Sequence, residues 1–441
     1  MTELAELHAR HVLTPWIAQG GFRAPVLVRG EGSSLFDETG KKYLDAGSGL
    51  VAVNLGHSHP AVAKAIADQA HTLCYSSPAW FNDKRAILAE KLSKMSPWDE
   101  GARVFFTTGG AESNDDMVRI VRALTGRSKI LTAYRSYHGA SGQSIELTGE
   151  DRRWTGEAHG GAGVIRFFAP YPYRSPFFAT TPEEECERAL AQLERIVMHE
   201  SPNRIGALLI EPIVGSNGVV VYPAGYLEGL RALCTKYGIL LVFDEVMTGF
   251  GRTGAAFAGE RHGVVPDLIV FAKGVTSAYV PLGGVMIRES LAKTFDDRPL
   301  PNGHTYSGHP LAVAAGVATL EAYEAGGIFA RARDVLEPKI RAGLEALAAK
   351  HEIIGEVRGM GAFFALELVK DRATKEPFVP WADAKSAAPM KAFFGALRER
   401  GVYTFGRFNC VMFAPPLVVT EAELDFGFEA YDHALTVLAN G

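Results

Sequence analysis

Three stretches of this chain end an apolar run on residues able to do chemistry. In Pro266-Asp267-Leu268-Ile269-Val270-Phe271-Ala272-Lys273-Gly274, a strand-like run delivers a single lysine. A lysine at the mouth of a dry pocket is costly while charged, so its pKa falls and its amine becomes nucleophilic, as a Schiff-base lysine requires. Taken alone, the same residue reads as a side chain snorkelling from a strand end. In Gly238-Ile239-Leu240-Leu241-Val242-Phe243-Asp244-Glu245-Val246, a buried strand places Asp244 at its carboxyl end, the edge where open α/β sheets bind ligands. A carboxylate there either binds Mg²⁺ or holds a proton on a ring nitrogen, while Glu245 reads as a cap for the next turn. Lys273 follows Asp244 by about one β-α-β crossover. The third stretch, Val104 to Ser113, runs from a strand through Gly109 and Gly110 into a helix with Met117, Ile120, Val121 and Leu124 on its buried stripe. Free N–H groups and the helix dipole favour a phosphate or carboxylate at such a start. The plainer reading is a tight turn in which the glycines relieve sterics. Neither the G-x-G-x-x-G dinucleotide fingerprint nor a Walker A sequence fits.

Together the three stretches describe one machine. Asp244 keeps a pyridine nitrogen protonated, so that the ring acts as an electron sink. Lys273 carries the aldehyde and later shuttles a proton, and the glycine loop takes the phosphate.

The elements that must position these residues are legible as alternation. Short β-rich runs at Arg103–Thr107, Ala207–Ile210, Ile239–Phe243 and Leu268–Phe271 are separated by helical spacing, which predicts a mostly parallel sheet flanked by helices. After about Pro310, Leu336, Ile340, Leu344 and Leu347 fall on one face of a long helix. Strand-like runs follow at Phe363–Leu368 and Val411–Phe413. The expected organisation is an N-terminal segment 1–60 packing with the small domain, a large domain 61–310, and a small α+β domain 311–441. The turn-rich stretch Gly30–Gly56 either packs on that small domain or covers the site.

Composition narrows the function classes. The chain has 441 residues, 47% of them hydrophobic and 22% charged, enough apolar material for a large core. Its 45 basic and 50 acidic side chains give a net charge of -5 without like-charged blocks, so no nucleic-acid partner is expected. No apolar segment suits a membrane span or a signal peptide, which predicts a cytoplasmic protein. Cys74, Cys186, Cys234 and Cys410 lie far apart, arguing against a disulfide framework or structural zinc. His57 and His59 sit in a Gly-His-Ser-His-Pro turn without a carboxylate partner nearby, and so read as a turn rather than as metal ligands.

Ordered motifs along essentially the whole chain resemble the class III aminotransferases of the fold-type I pyridoxal phosphate (PLP) family. They include Leu44-Asp45 through Gly56-His57, Phe106 to Asp115, Tyr137-His138-Gly139, Glu211-Pro212, Phe243-Asp244-Glu245-Val246, Gly249 to Gly254, Ala272-Lys273-Gly274, Pro281 to Gly284, Thr305 to Pro310 and Ala414-Pro415-Pro416. The resemblance implies PLP on Lys273, with Gly110 and Ala111 holding its phosphate through backbone N–H groups. It implies Tyr137 and Val246 on the two ring faces, and His138, Glu211 and Asp244 around the cofactor. Ala111 stands where many relatives have serine. Thr305 is expected to reach the phosphate in a neighbouring subunit, so a homodimer with shared sites is implied.

Departures from the family pattern bear on substrate. The aminotransferases of ornithine, acetylornithine and 4-aminobutyrate place a carboxylate-receiving arginine two residues before Ala-Pro-Pro, where this chain has Met412. Relatives acting on ω-amino acids and amines with pyruvate use a mobile arginine several residues earlier. Arg407 is its counterpart here, offset by about two residues, with an exposed loop arginine as the alternative. Val51 replaces a tryptophan that lines the substrate pocket of many ω-transaminases. The aromatic, cation-bearing stretch Phe167–Phe178 either lines the entrance or is a packed loop. The resulting expectation is an ω-amino acid or amine:pyruvate aminotransferase. The alternatives on the same scaffold are decarboxylation, racemisation or aminomutase chemistry, or a non-catalytic PLP-binding protein.

Overall fold

The computed structural model describes residues 2–156, 163–381, 383 and 387–440. Near the N-terminus, β1 (Leu27–Glu31), β2 (Ser34–Asp37) and β3 (Lys42–Asp45) form an antiparallel meander. The large sheet is built from β4 (Ala102–Thr107), β5 (Lys129–Ala133), β6 (Val164–Phe167) and β7 (Ile205–Ile210). A short hairpin follows, β8 (Ile213–Val214) with β9 (Val220–Val221). The sheet is then completed by β10 (Leu240–Asp244), β11 (Leu268–Phe271) and β12 (Gly283–Arg288).

Its order is β4-β12-β11-β10-β7-β5-β6. The pairs from β11 to β6 are parallel, whereas β12 runs antiparallel to both of its neighbours. All residues of β7 and β11 are buried, which explains why their sequences read as unbroken apolar runs rather than alternating ones. The expected strands are present, Leu268–Phe271 with the bounds read from the sequence and the others with shifted ends. For example, β10 extends to Asp244 because that residue still pairs with Val270 of β11.

Beyond Pro310, Leu336, Ile340, Leu344 and Leu347 are buried along one face, as expected, although the helix opens with a π turn at Ala332–Leu336 before Glu337–Lys350. A second sheet contains β13 (Ile354–Met360), β14 (Phe363–Asp371) and the short β15 (Glu376–Pro377). After β16 (Val402–Tyr403), it is closed by β17 (Gly406–Arg407) and β18 (Cys410–Phe413). β16 pairs in parallel with β3, setting Val402 opposite Leu44 and Tyr403 opposite Asp45. The N-terminal meander is thus hydrogen-bonded to the C-terminal part of the chain. One apolar cluster runs through all of these parts, from Leu44 through Leu88, Phe271, Val313 and Phe413 to Leu435.

Arg252 joins the same parts by polar contacts. Fully buried, it donates to Ala362 O at 2.9 Å, Pro415 O at 2.6 Å, Ser48 Oγ at 3.1 Å and Asn54 Oδ1 at 2.7 Å. Burial lowers its pKa to about 10, so it is still a cation at neutral pH. Replacing it by methionine keeps the apolar stem but strands four buried acceptors, each costing about 1 kcal/mol. Arg252→Met is predicted to lose about 3 kcal/mol of stability. A urea unfolding curve with an unchanged midpoint would contradict this.

Candidate active site

β10 and β11 are adjacent and parallel, and their carboxyl ends open onto one cavity of about 390 Å³. Asp244, Lys273, Gly110, Ala111, Tyr137, His138, Glu211 and Val246 all line it. Sequence reasoning therefore named eight residues that the fold brings together from five separate segments.

Asp244 is held on both oxygens. Oδ2 accepts from Asn114 Nδ2 at 2.9 Å and lies 2.7 Å from His138 Nδ1, and Oδ1 accepts from Val246 N at 3.0 Å. Asn114, which sequence reasoning missed, also donates to His138 O. The signal was present, because Asn114 lies three residues before Met117 and so puts an amide on the helix's buried stripe. Glu245 points away from the cavity. It accepts from Thr248 Oγ1, Ala258 N and Gly259 N, as the turn-capping reading expected, and burial pushes its pKa up to about 7.

Lys273 keeps some surface toward the cavity, yet protein surrounds its amine closely enough that burial lowers its pKa to about 8. The carboxylates of Asp244 and Glu211 oppose that fall. Its backbone adopts φ 47°, and Ser277 and Ala278 just after it adopt 49° and 60°. Left-handed backbone at residues other than glycine costs about 1–3 kcal/mol each and persists only where the surroundings enforce it. Here Tyr323 Oη donates to Gly274 O at 2.7 Å, and Ser277 Oγ accepts from Leu55 N at 2.9 Å. Glu211 accepts from Tyr137 N at 3.0 Å and Gly215 N at 2.8 Å, and its pKa is raised to about 7, chiefly by burial.

The glycine turn fits an anion. The helix Gly110–Thr125 starts at the cavity wall, where helical geometry leaves its first N–H groups without an intrahelical acceptor. A Cβ added to Gly110 would lie 2.9 Å from Val246 Cγ1, so glycine keeps this corner open.

Three expected residues lie elsewhere. Thr305 is exposed, and its carbonyl accepts from Tyr75 Oη at 3.1 Å. Val51 is buried with Met412, Ile213 and Phe363 in an apolar cluster, and its neighbour Ala52 is the residue that lines the cavity. The left-handed φ of 55° at Val51 falls in a bent turn of a kind that sequence periodicity does not reveal. Arg407 is tied down, with Nε 2.9 Å from Glu150 Oε2 and Nη2 bonded to Asp151 Oδ1. In the Phe167–Phe178 stretch, Tyr171 is buried and Arg174 pairs with Glu367, whereas Phe168 and Phe178 are exposed, and none of its residues lines the Lys273 cavity.

One sequence expectation needs correction. His57 does have a carboxylate partner, because its Nε2 lies 2.9 Å from Asp45 Oδ2. Tertiary folding of the loop creates this pair, which holds a turn. Among the described residues, no group of three or more His, Cys, Asp or Glu side chains could hold a metal ion, and no helix is long and apolar enough to cross a membrane.

A lysine with a lowered pKa, a buried acid held by Asn114 and His138, and a helix start with free N–H groups converge at the strand ends of this sheet, and together they fit PLP. They define a fold-type I PLP-dependent transferase. More particularly, the chain belongs to the class III aminotransferases, whose family profile matches residues 19–435. Over 418 residues it is 37% identical to a probable aminotransferase of Mycobacterium tuberculosis, covering 92% of this chain and 88% of that relative. It superposes on the taurine:2-oxoglutarate aminotransferase of Bifidobacterium kashiwanohense, solved with PLP and glutamate, at a TM-score of 0.96 and 39% identity. That match covers 100% of this chain and 98% of the other. An (S)-enantioselective ω-transaminase from Thermomicrobium roseum matches at a TM-score of 0.92 and 36% identity, over 99% and 98% of the two chains.

The Lys273 pKa of about 8 gives a testable pH dependence. Below it the ammonium has no free electron pair, so capture of added PLP by the apoprotein should rise about tenfold per pH unit and level off above it. Asp244→Asn removes an anion that stabilises the ammonium and should move the midpoint to lower pH. Stopped-flow absorbance measures both rates, and a flat profile from pH 6 to 9 would contradict the assignment.

Proposed function

We propose that this aminotransferase takes amino groups from ω-amino acids or amines of the β-alanine, taurine or aryl-alkylamine type. The acceptor is an oxo acid, pyruvate in this reading. The observation that carries the proposal is Met412, buried against Val51 and Phe363 where the aminotransferases of ornithine, acetylornithine and 4-aminobutyrate have a carboxylate-receiving arginine. The Bifidobacterium neighbour, whose named donor is a sulfonate-bearing amine, supports the same donor class.

PLP, when bound, supplies an electrophilic carbonyl and a ring that accepts electron density. Lys273 would hold it through its amine and, once freed by the donor amine, would act as the base for the proton on the donor carbon bearing nitrogen. Asp244 would hold positive charge at the ring nitrogen, and Asn114 and His138 fix that carboxylate. Gly110 and Ala111 would receive the phosphate through N–H groups, and Tyr137 and Val246, which line the same cavity, would flank the ring. Glu211 orients the backbone at Tyr137. Arg407 exchanges Asp151 for the carboxylate of the oxo acid. The exposed Thr305 serves the phosphate of a second copy, so the working unit is a homodimer, located in the cytoplasm.

An absorbance spectrum of the purified protein tests the reading. A visible cofactor band should be bleached by β-alanine, taurine, 4-aminobutyrate or 1-phenylethylamine and restored by pyruvate. A band that no donor cycles would leave the cofactor assignment standing and defeat the proposed substrates. Lys273→Ala should keep the cofactor noncovalently and lose at least about a thousandfold in turnover. Arg407→Ala should raise the KM for pyruvate about tenfold while changing that for 1-phenylethylamine far less. Equal effects on both substrates would remove the role given to Arg407.

A further inference from the structure

Two arginines stand near Tyr137, and they are not equivalent. Arg407 presents its guanidinium to two carboxylates, Glu150 and Asp151. Arg152, in the turn Asp151–Thr155, gives only its Nε to Glu150. Its Nη2 donates to Ser216 Oγ at 3.1 Å, and among the described residues its Nη1 meets no acceptor. Ser216 is a lining residue of the Lys273 cavity. The Arg152 guanidinium carbon lies 3.9 Å from the centre of the Tyr137 ring and 5.5 Å from that of Trp16. The charge of Arg152 also reaches Lys273, adding to the fall of the lysine's pKa.

The shared acid explains the arrangement. Glu150 is fully buried, with Oε1 on Arg152, Oε2 on Arg407 and Asn217 Nδ2 2.8 Å from Oε2. It holds Arg152 by Nε and leaves Nη2 to Ser216, the residue through which Arg152 reaches the cavity. Tyr137 supports the guanidinium plane from its ring face, which holds a fork-shaped donor in one orientation. A planar guanidinium edge beside a hydroxyl suits a carboxylate or sulfonate.

We propose that Arg152, with Ser216, receives the anionic end of the amino donor, and that Glu150 is the residue positioning it. The donor class is then an ω-amino carboxylate or ω-amino sulfonate, its amine directed to Lys273 and its acid to the Arg152 edge. This rests on the transamination reading above and specifies its donor. It also separates two anion-recognising tasks, with Arg152 for the donor's distal acid and Arg407 for the oxo acid.

The test uses holoenzyme and the rate at which donors bleach the cofactor band, comparing β-alanine and taurine with 1-phenylethylamine. Arg152→Gln should lower the ratio of anionic to neutral donor by at least about tenfold. Arg152→Lys, which keeps the charge without the fork, should fall between the two. Arg407→Gln should change that ratio by less than about twofold. Calorimetry with the unreactive probes propionate and ethanesulfonate gives a second readout, in which Arg152→Gln should weaken binding at least about tenfold. An unchanged donor ratio with unchanged probe affinity would overturn the proposal, as would a collapse of the ratio in Arg407→Gln alone. If no donor cycles the wild-type band, transamination fails as the reading, while probe binding still decides whether Arg152 is an anion site.

Discussion

An amine withdrawn from water beside two buried acids is the constraint around which this molecule is arranged. Lys273 emerges from β11 three residues past Val270, the residue that pairs with Asp244 at the end of β10. Parallel pairing of neighbouring strands therefore sets the lysine and the acid at the same edge. Burial drives the lysine toward neutrality and Glu211 toward protonation, while Asp244 and Glu211 oppose the fall at Lys273 and His138 opposes the rise at Glu211. The result is a lysine and a carboxyl group that both titrate near neutrality, the range in which one group can hold and release protons during turnover. The left-handed backbone at Lys273, Ser277 and Ala278 is part of the same constraint, since it turns the chain sharply at the strand end.

Such a turn persists only if the walls around it are stiff, and those walls come from distant parts of the chain. Arg252 pins Ser48 and Asn54 to Ala362 and Pro415. Asp45 accepts from Gly49 N at 2.9 Å and pairs with His57, fixing the loop that carries Ala52 into the cavity. The parallel pairing of β16 with β3 then ties that loop to the strands bearing Arg407. These links connect a site centred on one sheet to residues near both ends of the chain.

What was legible in the sequence follows from how local each signal is. Lys273, Asp244 and the Gly109-Gly110 turn terminate apolar runs, so strand, strand end and chemistry lie within a few consecutive residues. The family motifs then added Tyr137, His138, Glu211 and Val246, which share the cavity but whose surroundings are assembled by folding. The contacts that decide Arg407, Val51 and His57 were not legible. The partners of Arg407 lie more than 250 residues away, at Glu150 and Asp151, and no periodicity encodes such a pairing. Val51 turned inward because its turn has a left-handed φ, a backbone preference that valine does not signal. The π turn at Ala332–Leu336 was hidden for the opposite reason, since the apolar spacing there reads as ordinary helix.

The rim of the site obeys different physics from its floor. The floor needs a fixed acid and an amine of lowered pKa, and the ends of β10 and β11 supply both. The rim must attract an anion without leaving a bare cation in a low-dielectric place, where an unpaired charge is heavily penalised. Glu150 and Asp151 meet that requirement by balancing Arg152 and Arg407 in overall charge. The balance is uneven in space, because Arg407 faces both acids whereas Arg152 touches one through Nε alone. A cluster neutral as a whole is thereby stable, yet it presents one positively charged edge beside Ser216. Selectivity for an acidic substrate can arise from this asymmetry without any net charge, and it resides in a surface turn that can change while the strand ends below it stay the same.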